Sequence, residues 1–238
     1  MTELRVESLA KRFGGLRVFQ DISFNLPEGG LLGVIGPNGA GKTTLINVIS
    51  GRQSASGGRV ILDGRDITNR PAHAVSRLGL ARSFQQTNTF KNVSVSENIA
   101  RAIRFGGRGA PVGLDRMLDA FGLTPRLGEI SDKLPYGLQK MLGLVMAFAT
   151  SPKILLLDEP AAGLERTERQ NVDTFVHNAR QAGASVLIVE HDMDLIRRLC
   201  PRILVLDAGV LLADGPPAVV LARPDVIAAY LGETEETA

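Results

Sequence analysis

The apolar positions fall into short continuous runs toward both ends of the chain and into a helical period across its middle. Leu4 to Leu26 alternates as antiparallel strands do and ends at a Pro27-Glu28-Gly29 turn. Leu31 to Ile35 has the pattern of a buried strand, Lys42 to Ser50 that of a helix, and Arg59 to Leu62 and Ala81 to Phe84 read as short strands. Between Phe84 and Lys153 the strand signals disappear. Ser94 and Glu97 have capping-box spacing ahead of a helix running toward Arg104, and Gly106 to Gly113 reads as a loop. Leu114, Met117, Leu118 and Phe121 then share one helical face, as do Leu138, Met141, Leu142, Val145 and Phe148. Strands return at Ile154 to Leu157, Val186 to Val189 and Ile203 to Leu206, with a helix carrying Val172, Phe175, Val176 and Ala179 that ends at Ala182-Gly183. The prediction is one α/β domain: residues 1–84 and 151–238 form a core with an antiparallel β subdomain, and residues 85–150 form a helical insertion.

Composition narrows the class. With 44% hydrophobic and 22% charged residues in 238, the chain can bury a core, which excludes disorder and collagen. Its longest run of apolar residues plus Gly, Met141 to Ala149, is nine long, whereas a bilayer span takes roughly 20 residues, so no crossing is expected. The charged start, Met1-Thr-Glu-Leu-Arg-Val-Glu7, is unlike a secretory signal, and the expected location is the cytoplasm. Cys200 is the one cysteine and reads as a small hydrophobe. Net charge is +2, but from Arg52 to Arg108 ten basic side chains face Asp63, Asp66 and Glu97, giving +7 and leaving −5 elsewhere. That stretch is either a solvated face or a surface meeting phosphates, anionic lipid or an acidic partner.

Gly36-Pro-Asn38-Gly39-Ala40-Gly41-Lys42-Thr43-Thr44 follows a predicted strand and opens a predicted helix, the setting a phosphate-binding loop needs. Its glycines let backbone N–H groups turn toward phosphate oxygens, the helix start adds positive dipole, and Lys42 adds a charge for the β and γ phosphates. Thr43 can offer its hydroxyl to Mg²⁺. Ile154-Leu-Leu-Leu-Asp158-Glu159-Pro160 is an apolar strand that ends in two adjacent acids, on the sheet edge where the loop also lies. Neighbouring side chains on a strand point opposite ways, so the acids take different tasks: Asp158 holds Mg²⁺, directly or through water, and Glu159 polarises the attacking water. His191 follows a third strand to the same edge and can donate to the γ-phosphate. Gln85, with Gln86 as a rival, can reach Mg²⁺ or the attacking water. His73 and His177 read as surface residues.

In that order, and interrupted by a helical insertion, the loop, Gln85, Asp158-Glu159 and His191 resemble the ATP-binding subunit of an ABC transporter over essentially the whole chain. The resemblance implies a P-loop NTPase core, ATP and Mg²⁺ as ligands, and Phe13 as the aromatic that stacks on adenine. It also implies a signature stretch at a helix start that reaches a partner's γ-phosphate. Leu134-Pro-Tyr136-Gly137-Leu-Gln-Lys140 occupies that place, with Leu134 and Gly137 matching the five-residue core and Pro135 removing a hydroxyl and an N–H. Glu165 stands where the family has an Asp. The Leu-Pro-Tyr-Gly variant, Gly79 to Gln85, Glu190-His-Asp-Met193 and Arg223 to Glu233 resemble the ATPase subunits of branched-chain amino acid uptake systems; urea-type relatives share much of this.

As the resemblance has it, two such subunits, often a paralogous pair, meet head to tail with ATP between them. They lie beneath two membrane permeases on the inner face of the membrane and are served indirectly by a solute-binding protein; no nucleic acid is expected. The residues leave room for a non-transport ABC ATPase of DNA repair or translation, and for a nucleotide-dependent binding module. A nucleotide kinase does not fit the spacing of the carboxylate strand and His191.

Overall fold

The computed structural model describes residues 3–83, 89–165 and 168–231. Two sheets form. The antiparallel one has the order β2-β1-β4-β5, from β1 (Leu4–Phe13), β2 (Leu16–Leu26), β4 (Gly57–Leu62) and β5 (Arg65–Asp66). The second has the order β10-β9-β3-β8-β7-β6, from β3 (Leu31–Ile35), β6 (Leu80–Arg82), β7 (Ile154–Asp158), β8 (Ser185–Val189), β9 (Arg202–Asp207) and β10 (Val210–Gly215). It is parallel except for β10. The helices are α1 (Lys42–Ile49), α2 (Ala72–Arg77), α3 (Val95–Gly106), α4 (Leu114–Ala120), α5 (Tyr136–Ala149), α6 (Arg169–Gln181), α7 (Met193–Leu199), α8 (Pro217–Val220) and α9 (Pro224–Leu231).

The continuous apolar runs of β7, β8 and β9 follow from burial on both faces. Leu155, Leu157, Val186, Ile188, Ile203 and Val205 join one core with α3 to α6, while Ile154, Leu156, Leu187, Val189, Leu204 and Leu206 join another with α1 and the antiparallel sheet. Phe148 and Phe175 meet edge-on in the first core, at 6.5 Å between ring centroids, and fix α5 against α6. Because β3, β8 and β7 are parallel neighbours, the residues following each of them emerge on one edge.

Several boundaries differ from the sequence pattern for local reasons. Gly106, expected in a loop, ends α3 instead, because the left-handed cap is Gly107; a Cβ at Gly106 would collide with the Thr150 carbonyl. α1 stops at Ile49, with Ser50 as its cap. β6 spans Leu80–Arg82, shifted one residue toward the N-terminus; Phe84, the expected end, lies outside the described residues. The pattern gave no sign of β10, a half-exposed edge strand joined to β9 through Ala208 and Gly209, both at positive φ as a two-residue hairpin requires.

Candidate functional site

The loop after β3 wraps around its own lysine. Gly36, Gly39 and Gly41 have φ of 147°, 75° and 98°, and a Cβ at Gly36 would collide with the Leu206 carbonyl, so only glycine fits there. The buried Lys42 ammonium donates to the carbonyls of Gly36 at 2.5 Å and Pro37 at 2.6 Å. Asn38, Gly39, Gly41, Lys42, Thr43 and Thr44 line a cavity of about 190 Å³ that Glu159, His191 and Val18 complete. The loop expected to bind phosphate, one of the two acids and the histidine therefore share one space. Ala40 is buried beneath it.

Asp158 is buried at 2% exposure, and its Oδ2 accepts a 2.7 Å hydrogen bond from Arg82 Nη2. Arg82 also donates from Nη1 to Asn47 on α1 at 2.5 Å, so one guanidinium joins β6, β7 and α1. Burial pulls the Arg82 guanidinium below its usual range, and Asp158 opposes that shift. The other carboxylate oxygen, Oδ1, is buried and accepts no hydrogen bond among the described residues. A buried oxygen of this kind, with the exposed Thr43 hydroxyl on the first turn of α1, fits Mg²⁺, a hard cation that takes oxygen ligands. Among the described residues no three His, Cys, Asp or Glu converge on one point. Bound here, the ion would complete its shell with phosphate oxygens and water.

Glu159 leaves the strand in the left-handed region, at φ 48°, with its N–H on the Val189 carbonyl. The two acids separate because the backbone turns between them, not by strand alternation: Asp158 is buried and Glu159 reaches the cavity. His191 Nε2 lies 2.7 Å from Glu159 Oε1, a contact that sequence spacing could not show. Glu190 was not among the expected site residues. It is 3% exposed, and its carboxylate accepts from Ala161 N at 2.7 Å and His191 N at 3.1 Å, tying the loop after β7 to the turn after β8. Burial pushes its carboxyl above the usual range, against those hydrogen bonds and with the charge of Glu159.

Phe13 lies at the end of β1, 47% exposed, with the Lys11 ammonium 4.4 Å from its ring centroid; Val18 is the β2 residue that lines the cavity. At the start of α5, Pro135 caps the helix without a side-chain hydrogen bond, and Gln139 N–H is bonded back to the Pro135 carbonyl. Leu134 and Gly137 are buried and Tyr136 is half exposed. A Cβ at Gly137 would collide with the Glu168 carboxylate, which also accepts from Glu165 N at 3.0 Å. Glu165 itself is exposed. Gln85 and Gln86 lie outside the described residues. Cys200 is buried, and burial pushes its thiol up to about 12, as suits a space-filling residue.

Residues 19–162 match the family described as ABC transporter, and residues 210–236 match the one described as branched-chain amino acid ATP-binding cassette transporter. The chain is 35% identical to the high-affinity branched-chain amino acid transport ATP-binding protein BraF of Pseudomonas aeruginosa, over 97% of this chain and 98% of that one. It is also 35% identical to LivG of Escherichia coli, a protein of the same description, with the same coverage. A solved ATP-binding cassette of an ABC transporter in its ADP conformation superposes with a TM-score of 0.86 at 28% identity, covering 98% of this chain and 99% of that one. A nucleotide-free cassette from an ABC transporter gives a TM-score of 0.85 at 28% identity, covering 97% and 99%.

Proposed function

The chain belongs to the ABC transporter family, and on that premise we propose that it hydrolyses ATP to energise the uptake of branched-chain amino acids through a membrane permease. The observation that supports this reading best is the convergence of Lys42, Glu159 and His191 on the loop cavity, with Asp158 buried beside it.

In this reading the loop N–H groups and Lys42 hold the β and γ phosphates, Phe13 stacks on adenine, and Thr43, Asp158 and Gln85 hold Mg²⁺. The ion, when bound, neutralises charge on the phosphate oxygens. Glu159 takes a proton from the attacking water as that water bonds to the γ-phosphorus. The bond from phosphorus to the β–γ bridging oxygen breaks, leaving ADP and phosphate. His191 orients Glu159 through the 2.7 Å contact and reports the loss of the γ-phosphate.

A second ATPase subunit, identical or paralogous, supplies the start of its α5, with Leu134, Tyr136 and Gly137, to close the site. Residues 85–150 act as the helical subdomain that passes the state of the site to the permease. The permease contacts a groove of about 390 Å³ whose lining includes Arg52, His73, Arg82 and the exposed Phe105. The subunit works at the cytoplasmic face of the membrane. Among the described residues no helix is long and apolar enough to cross it.

Glu159→Gln keeps the shape of the site and removes the proton acceptor. The expected outcome is unchanged equilibrium binding of ATP with phosphate release reduced at least about 100-fold. Lys42→Ala should instead weaken ATP binding. Undiminished phosphate release by Glu159→Gln overturns the assignment of the base.

A further inference from the structure

Lys140 is a buried cation to which the chemistry above gives no task. It closes the first turn of α5, is 3% exposed, and donates to the carbonyls of Glu159 at 3.1 Å and Ala162 at 2.8 Å. Taking an ammonium out of water is costly unless good partners compensate. Burial pulls the Lys140 ammonium below the usual lysine range, opposed by the charges of Glu190, Glu159 and Asp158. Packing α5 against the sheet does not require that cost, since a methionine fills similar space. What the ammonium adds is a cross-link between a helix and a loop.

The loop it grips is strained. A non-glycine residue held in the left-handed region is strained and persists where its surroundings over-determine it. Glu159 is such a residue, at φ 48°. Lys140 holds this loop by two carbonyls, while Glu190 holds it from the other side by the Ala161 N–H. The Glu159 carbonyl that Lys140 grips also accepts from Ala162 N at 3.1 Å, closing a single turn.

We propose that Lys140 is a positioning residue for Glu159, and that it couples the two nucleotide sites of the assembled pair. The proposal rests on the reading that Glu159 is the base and that the start of α5 serves the partner's nucleotide. On that reading, α5 binds one nucleotide at its first residues and, one turn later, holds the backbone of the base that activates the water at the other. A displacement of the helix start as it engages a phosphate reaches the Glu159 carbonyl through one side chain.

The test measures ATP Kd by equilibrium titration and kcat by phosphate release, on the full chain assembled with its partner ATPase and permease. Lys140→Met is expected to leave Kd within about twofold and to lower kcat at least about tenfold, the scale of a misplaced reacting group. Lys140→Arg should recover kcat to within about threefold of the parent, because it restores a cation with several donors. In a Glu159→Gln background Lys140→Met should cost nothing further, since the two act through one group. An unchanged kcat, a rise in Kd without loss of kcat, an Arg variant no better than Met, or a full additional loss in the Glu159→Gln background each overturns the proposal. If the Met chain does not fold, Lys140→Leu, which likewise removes the donors, is read by the same criteria. Turnover that survives Glu159→Gln alone overturns the underlying reading; loss there with no effect of Lys140→Met overturns this proposal and leaves that reading standing.

Discussion

At the scale of single residues, the site depends on charges buried in pairs. Arg82 and Asp158 have side chains 9% and 3% exposed, and removing one leaves the other charged and buried. Breaking such a pair costs roughly 3–5 kcal/mol, so Arg82→Met should lower the unfolding midpoint by about 6–20 °C in a chain of this size. Thermal unfolding of the two chains measures it, and an unchanged midpoint sinks the claim that the pair is a structural tie. Arg82 was not legible in the sequence as a site residue. It stands three positions before Gln85, inside the stretch Ala81 to Phe84 that reads as a short strand, and nothing in spacing says that its guanidinium spans Asn47 and Asp158.

At the scale of elements, caps and turns aim the groups. Asp192 caps α7, its Oδ1 accepting from Asp194 N and Leu195 N, and its Oδ2 pairs with Arg169 at 2.8 Å. Burial pushes its carboxyl up, but the Leu195 N–H, Arg169 and the Asp194 N–H outweigh that and hold it below the usual carboxylate range. A depressed pKa contributes stability above the unfolded value and loses it as pH falls through the folded one. Asp192→Ala should therefore cost about 1 kcal/mol near neutral pH. The gap from the parent should close as pH drops below about 4, and urea unfolding across pH 3 to 7 checks this. A gap that widens on acidification contradicts the assignment. The Ser94 cap was visible in the sequence because Ser94 and Glu97 have their spacing, and the Glu97 N–H does donate to Ser94 Oγ at 3.2 Å. The Asp192 cap was not, because α7 is only seven residues long and its apolar period is brief.

At the scale of the whole molecule, a single chain leaves the start of its α5 away from its own loop cavity, whose lining includes no residue of that helix. If a partner's α5 closes the site, ATP becomes part of the interface, and the closed pair is stabilised by mass action. The Glu159→Gln chain, mixed with its partner ATPase, should run as a two-chain assembly in sedimentation when MgATP is present and as separate chains with ADP. Equal sedimentation in both nucleotides contradicts the head-to-tail arrangement.

Order along the chain singled out the loop after β3, the acid pair and the histidine, because each follows a strand end and parallel strands deliver their ends to one edge. Local pattern likewise predicted most buried strands, whose apolar runs reflect burial on both faces. Only the tertiary structure decided which polar groups meet: Arg82 with Asp158, His191 with Glu159, Glu190 with the N–H of Ala161, and Lys140 on α5 with the carbonyls of the loop after β7. These contacts join residues from 19 to 76 positions apart. Interactions at such separations leave no period in a sequence; they exist once the core has brought the strand ends and α5 together, and burial then makes each unpaired charge too costly to keep.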